Sequence, residues 1–307
     1  MRFLKPLIFN AIVVLFVMGC GPYGGDPNAP DAYDRGTIHV SADESFKPVL
    51  DAAVKVYEAS YPDAKILIDY KPEAECLKDA LVDSIRMTIT TRRLTDKELQ
   101  GITDSLKLEP RQSTIAYDAI AVIVNKQGTD SFFTMPELKT LVSGKTAGLT
   151  PVFDGVRATS TVRFMLDSVL KGQPLGANVV AAQNSDGVLN YVAQNKAAVG
   201  FIGVSWIGNP EDTSQLSFQK KITIANIQST DNPDGYIKPY QANIYARRYP
   251  MVRDLVYVLK EKYQGLGNGF ANFLNSDRGQ LIFRRAYLLP AKMPFWIRPT
   301  TLNEQAQ

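Results

Sequence analysis

The chain of 307 residues carries 34 Lys+Arg against 31 Asp+Glu, 45% hydrophobic residues, two cysteines and one histidine. This length suits about two domains with a core each, and the ordinary apolar and charged fractions exclude disorder, collagen and coiled coil. A net charge of +3 without a Lys/Arg block argues against a nucleic-acid protein, and one His with two Cys excludes the usual zinc sites; no metal and no cofactor are expected.

Residues 1–19 read as a secretory signal: Arg2 and Lys5, then an apolar run from Leu7 to Met18, too short for a comfortable membrane span. Val17-Met18-Gly19-Cys20 resembles a bacterial lipobox, which makes Cys20 the expected lipidation site and 20–35 a lipidated N-terminus and polar tether. Removing 1–19 leaves 32 cations against 31 acids, so most of the basicity belongs to the signal. Cys76 then has no disulfide partner, and its place in an apolar helical pattern makes it a core residue rather than a reactive thiol.

From Thr37 onward, strand-like runs alternate with helical periodicity, the pattern of an α/β chain. Strands are expected at 37–41, 65–70 and 87–91, with helices from Phe46 to the Tyr61-Pro62 stop and over 75–85; Thr95 and Glu98 form a capping box opening the next helix. The nearly continuous apolar run 115–125 suits a strand crossing between two lobes. A second capping box follows at Thr134 and Glu137, then strand 148–153, helix 160–171, strand 179–182, helix 186–195 and strand 198–204. Helical structure is expected after Tyr249-Pro250 and again in the closing stretch 267–290. This gives two lobes of mixed sheets flanked by helices: lobe I from 36–116 and 249–307, lobe II from 117–248.

In open α/β sheets, ligands gather where strands end and helices begin with unpaired N–H groups. Three such joints here are rich in hydroxyls: Ser45 before Phe46, Thr90-Thr91-Arg92, and Thr159-Ser160-Thr161 followed by Arg163. Each hydroxyl alone is accounted for as a helix cap. Arg163 is different, because a cation in a first helical turn opposes the helix dipole unless an anion or buried carboxylate faces it. Arg92 and Arg157 are weaker candidates, explicable as surface ion pairs.

The order of SADESFKPV, ITTRRLTDKEL, STIAYDAIAVIVN, ATSTVRFML and NSDGVLNYVAQNKAAVGFIGV resembles the periplasmic phosphate-binding proteins of ABC importers, with the type 2 periplasmic binding protein fold. The resemblance implies a monomeric, lipid-anchored protein, periplasmic or on the cell surface. It would close around phosphate or a similar small anion and deliver it to an ABC transporter permease, without catalysing a reaction.

By position, Ser45 and Phe46 match the family's hydroxyl and adjacent N–H, and Thr159, Ser160 and Thr161 its Ser-Gly-Thr run. Three departures stand out. The family's aspartate, which accepts the phosphate proton, aligns with Thr91; Pro72-Glu73-Ala74-Glu75 replaces small residues; and neither Arg157 nor Arg163 holds the place of the family's arginine. Glu44 or Glu75 is the candidate replacement acceptor, or a counter-charge to Arg92 or Arg163. Other readings are a binding protein for another oxyanion or polar solute, and a surface module that has lost ligand binding. A hydrolase is disfavoured, because GVSWIG does not satisfy GxSxG and His39 reads as a buried strand residue.

Overall fold

The computed structural model describes residues 29–128, 131–155, 157–209 and 211–294. The signal and the lipidation site Cys20 lie outside them. Among the described residues, no helix is long and apolar enough to cross a membrane.

The first half of the chain runs β1 (Arg35–Asp43), a short turn of 3-10 helix (Glu44–Phe46), α1 (Lys47–Ser60), β2 (Asp63–Lys71), α2 (Glu73–Asp79), β3 (Met87–Thr90), α3 (Asp96–Leu106) and β4 (Arg111–Asn125). There follow β5 (Phe132–Phe133), α4 (Met135–Val142), β6 (Thr150–Phe153), α5 (Ser160–Phe164), β7 (Val180–Ala181), α6 (Ser185–Gln194) and β8 (Ala198–Gly203). The remainder is α7 (Thr213–Gln219), β9 (Ile222–Ile224), β10 (Asn226–Gln228), β11 (Tyr236–Ile237), α8 (Gln241–Tyr245), β12 (Val252–Leu259), α9 (Leu266–Asn275), α10 (Asp277–Arg285) and β13 (Leu289–Pro290).

The main sheet runs β2-β1-β3-β12-β4-β8-β6-β7 and mixes parallel with antiparallel pairs. β4 is the strand that joins its two halves. Residues 111–119 pair antiparallel with β12, and 120–124 pair antiparallel with β8. Its long Ile/Val/Ala run is buried on both faces, as a central strand requires. On one side of this crossing, Val40, Leu50, Ile89, Leu255, Phe270 and Phe283 belong to one core. On the other, Val122, Leu138, Met165 and Tyr249 build a second, with Phe153 stacked on Phe201 at 4.6 Å between ring centres. The mixed α/β architecture with two lobes and a cleft between them is the one anticipated.

Both capping boxes form: Thr95 with Glu98 opens α3, and Thr134 with Glu137 opens α4. Cys76 is buried in α2, where burial pushes its thiol up to about 12, so it is un-ionised core.

Four local expectations are corrected. The stretch after Tyr249-Pro250 is not helical but β12, inserted between β3 and β4. Its residues VRDLVYVL are β-branched and aromatic enough for a strand buried on both sides, where a short apolar run carries no decisive period. The helix expected over 75–85 is the shorter α2, and 160–171 divides into α5 and a π-helical turn over Met165–Val169. His39 is not core: it lies on the solvent side of β1 while Ile38 and Val40 on either side point inward.

Candidate ligand-binding site between the lobes

The site is built where four elements end or cross at one place. β1 delivers Asp43, Glu44 and Ser45 into the turn before α1; β6 delivers Asp154 and then the Thr159-Ser160-Thr161 start of α5. The crossing pair β4 and β12 supplies Asp118 and Arg253, directly opposite each other in the ladder.

Arg253 is the centre of this arrangement. Its Nε donates to Asp118 Oδ2 at 2.8 Å, and its Nη1 donates to Ser160 Oγ at 2.7 Å and Thr161 Oγ1 at 3.3 Å. The Arg253 side chain is 3% exposed and Asp118 is fully buried. Burial works against the Arg253 charge, but Asp118 and Asp43 more than restore it. Asp118 also accepts the N–H of Val204 at 3.2 Å, fixing the end of β8 to the same pair. The Phe46 ring lies under the guanidinium, 5.2 Å from Cζ.

The two lobes meet at this centre. Ser45 Oγ and Ser160 Oγ are 3.3 Å apart across the cleft, and the Ser45 carbonyl accepts the Trp206 indole N–H at 2.9 Å. Gly203 makes that approach possible: a Cβ there would stand 3.0 Å from Arg253 Nη2 and 3.2 Å from the Ser45 carbonyl oxygen. Asp43, Ser45, Ser160, Thr161 and Arg253 are all buried, so the lobes are closed over the centre.

A second cross-lobe contact forms at the rim. Arg163 Nε donates to Glu73 Oε2 at 2.6 Å, and its Nη2 donates to Thr91 Oγ1 at 2.7 Å. Thr91 in turn donates from its hydroxyl and its N–H to Glu73 Oε1, at 2.5 and 3.0 Å. Burial would raise the Glu73 pKa, but Arg163 and Thr91 together hold it below the usual carboxylate value. Beside this pair, the Ala74 N–H donates to the Ala158 carbonyl at 3.0 Å. Ala158 is left-handed, φ 71°, a strained conformation for a residue with a Cβ. Elsewhere on the rim, Glu44 of the first lobe accepts the N–H and hydroxyl of Ser185 at the start of α6.

The residues anticipated from sequence separate into three groups. Ser45, Phe46, Ser160 and Thr161 surround Arg253, with Thr159 one residue away as the cap of α5. Thr91 and Arg163 meet at the rim, where Arg163 faces Glu73 across the cleft and Asp167 of its own segment at 3.5 Å. Thr90, Arg92 and Glu75 stand apart: Thr90 Oγ1 donates to the Arg92 carbonyl, Arg92 makes a two-pronged pair with Glu98 of α3, and Glu75 is exposed. Arg157 is exposed as well.

The sequence reading did not single out Arg253, Asp118, Asp43 or Asp154. A signal for one of them existed: Asp118 is a lone charge inside an apolar strand run, and a buried charge needs a partner, whereas Arg253 is followed directly by Asp254. Asp154 accepts the hydroxyls of Thr159 at 2.9 Å and Thr161 at 3.3 Å, and burial pushes its carboxyl up to about 7.

Among the described residues, no group of three or more His, Cys, Asp or Glu is arranged to hold a metal. What the centre offers is hydroxyls, a helix start and one buried guanidinium from both sides of a closed cleft, the equipment for holding a small polar solute. This two-lobed α/β architecture with its cleft at the strand crossing is the type 2 periplasmic binding protein fold. The family model for the PBP superfamily domain matches residues 27–278, and the chain belongs to that superfamily. A search of curated proteins found no match.

Among solved structures, the chain is similar to a phosphate ABC transporter substrate-binding protein from Clostridium perfringens with bound phosphate. Identity is 21%, TM-score 0.69, with 84% of this chain and 100% of that one covered. It is also similar to an ABC-type phosphate transport receptor from Vibrio cholerae, at 17% identity and TM-score 0.60, over 83% of this chain and 100% of that one. At these identities the likeness is one of fold.

Proposed function

We propose that this chain is a solute-binding protein that captures phosphate in the cleft between its lobes and hands it to an ABC transporter permease. The observation that carries the reading is the convergence of Ser45 from one lobe, Ser160 and Thr161 from the other and Arg253 from the crossing strands on one buried point. A phosphate entering there exchanges hydrogen bonds these groups now make with each other for charge-assisted bonds to its oxygens. The working lobes are 36–116 with 249–307, and 117–248, hinged on the crossing strands. Cys20 is the lipid anchor in this reading, which places the protein outside the cytoplasm on a membrane surface, and binding proceeds with no catalysed reaction.

The crowding of the centre by the protein's own carboxylates favours a second reading, a surface module of the same fold that no longer takes a ligand, while another oxyanion or polar solute fits the same hydroxyls. Calorimetric titration of the purified protein with phosphate, sulfate and neutral polar solutes separates the three. Saturable binding of phosphate alone supports the proposal, preference for sulfate or a neutral solute reassigns the ligand, and heat from none of them leaves the module reading.

A further inference from the structure

The charges around the centre do not balance. Asp43, Glu44, Glu73, Asp118 and Asp154 are gathered at the lobe interface, against the guanidiniums of Arg253 and Arg163. Asp118 is paired with Arg253 and Glu73 with Arg163. Asp43, Asp154 and Glu44 are left without a salt-bridge partner among the described residues.

Asp43 occupies the most telling position. Its Oδ1 accepts the Ser45 N–H at 2.9 Å, the same N–H-rich joint at the end of β1 that an incoming anion would use. Its Oδ2 is buried without a hydrogen-bond partner. The groups facing it are Arg253 of β12, Glu73 and Cys76 of α2, Ser160 of α5, Asp154 beyond β6 and its own neighbour Glu44. Asp154 faces Thr159, Thr161, Arg253, Asp43 and Glu44. An anion approaching this centre with all five carboxylates ionised would meet a net negative site and be repelled, the more so because the cleft is buried.

Resting on the anion-binding reading above, we propose that Asp43 is the site's resident anion and that phosphate capture is coupled to proton uptake by Asp43 and Asp154. Phosphate takes over the Ser45 N–H and the neighbourhood of Arg253 from the Asp43 carboxylate. Protons from solvent, or arriving on dihydrogen phosphate, neutralise the two displaced carboxyls. Burial holds both groups above the ordinary aspartate value, Asp154 at about 7, which favours their protonated forms once phosphate displaces them. Each proton taken up makes affinity fall by up to tenfold per pH unit once the pH exceeds the free site's pKa.

The test is calorimetric titration of the purified protein with inorganic phosphate at pH 6 and pH 8, in buffers of differing ionisation enthalpy, with sulfate as an anion that does not titrate in this range. Wild type, Asp43→Asn and Asp154→Asn are compared, each checked for folding by circular dichroism. At pH 8 the proposal expects net proton uptake on binding in wild type, and less uptake in each folded variant. It also expects each folded variant to bind phosphate and sulfate at least tenfold tighter than wild type at pH 8. Asparagine keeps the acceptor oxygen in place, and the two variants give independent readings should one fail to fold. Phosphate binding with equal proton uptake and parallel pH dependence in wild type and variants overturns the coupling and leaves the anion reading standing. Absence of phosphate and sulfate binding in wild type and variants at both pH values overturns the anion reading and the coupling with it.

Discussion

Two arginine–carboxylate pairs hold the closed cleft, and they differ in what surrounds them. Arg253 and Asp118 sit on adjacent strands of the crossing, with side chains 3% and 0% exposed, and neither has to move when the lobes separate. Arg163 and Glu73 come from opposite sides of the cleft, and the Arg163 side chain is 35% exposed. In the proposed capture cycle the first pair is part of the hinge, while the second forms when the lobes shut. A buried pair costs most when one partner is removed, because the other is stranded in a medium that cannot solvate it. In the second pair only Arg163 has water at hand; Glu73 is 1% exposed but keeps the two Thr91 hydrogen bonds when Arg163 is removed, so in the proposed cycle the pair mainly biases an equilibrium between open and closed.

Arg253→Ala is expected to break the hinge outright. Leaving Asp118 unpaired costs about 3–5 kcal/mol, measurable as a lower urea midpoint; a loss within 1 kcal/mol would remove Arg253 from its central place.

Asp154→Asn sharpens the contrast through pH. Asp154 has a folded pKa of about 7, above its ordinary value of 3.8, so between these the folded chain holds more protons than the unfolded one and stability falls as pH rises. Asparagine removes that cost, so the variant should be about 4 kcal/mol more stable than wild type at pH 8 and gain little at pH 4. Equal denaturation midpoints at pH 8 would contradict the burial of an ionised carboxylate there.

Arg163→Ala should act on closure. It removes about 2 kcal/mol from the closed state, less than a fully buried pair because Arg163 is partly solvated, and the radius of gyration from small-angle scattering should rise. An unchanged radius would make the rim contact incidental. The smallest effect concerns the strained loop beside it: Ala158→Gly relieves the left-handed residue and should alter stability by about 0.5–1 kcal/mol in the favourable direction, whereas a loss would show that the alanine methyl matters more than its φ.

The same contrast explains what the amino-acid order disclosed. Elements with strong local signals were legible: the capping boxes Thr95–Glu98 and Thr134–Glu137, the crossing strand, and the hydroxyl-rich helix start at Thr159-Ser160-Thr161. Arg163 was legible too, because a cation in a first helical turn demands a partner, and Glu73 is that partner in the fold. β12 was hidden, since a short run with six apolar residues of eight fits a buried helix or strand equally well until neighbours β3 and β4 take up its edges. With β12 misread, Arg253 could not be placed opposite Asp118, for that pairing depends on register between residues 135 positions apart. Asp43 and Asp154 were obscured for another reason: an acid after a strand is normally a turn or cap residue, and only burial by the opposing lobe makes it costly.

The central claim is that Ser45, Ser160 and Thr161 around Arg253 hold a small anion between the lobes. Calorimetric titration of phosphate at pH 6 into wild type and a folded Ser160→Ala variant tests it most directly. One site per chain is expected in wild type, with affinity at least tenfold weaker in the variant, the loss of one charge-assisted hydrogen bond. No saturable binding in wild type, or equal affinity in the two proteins, would contradict it.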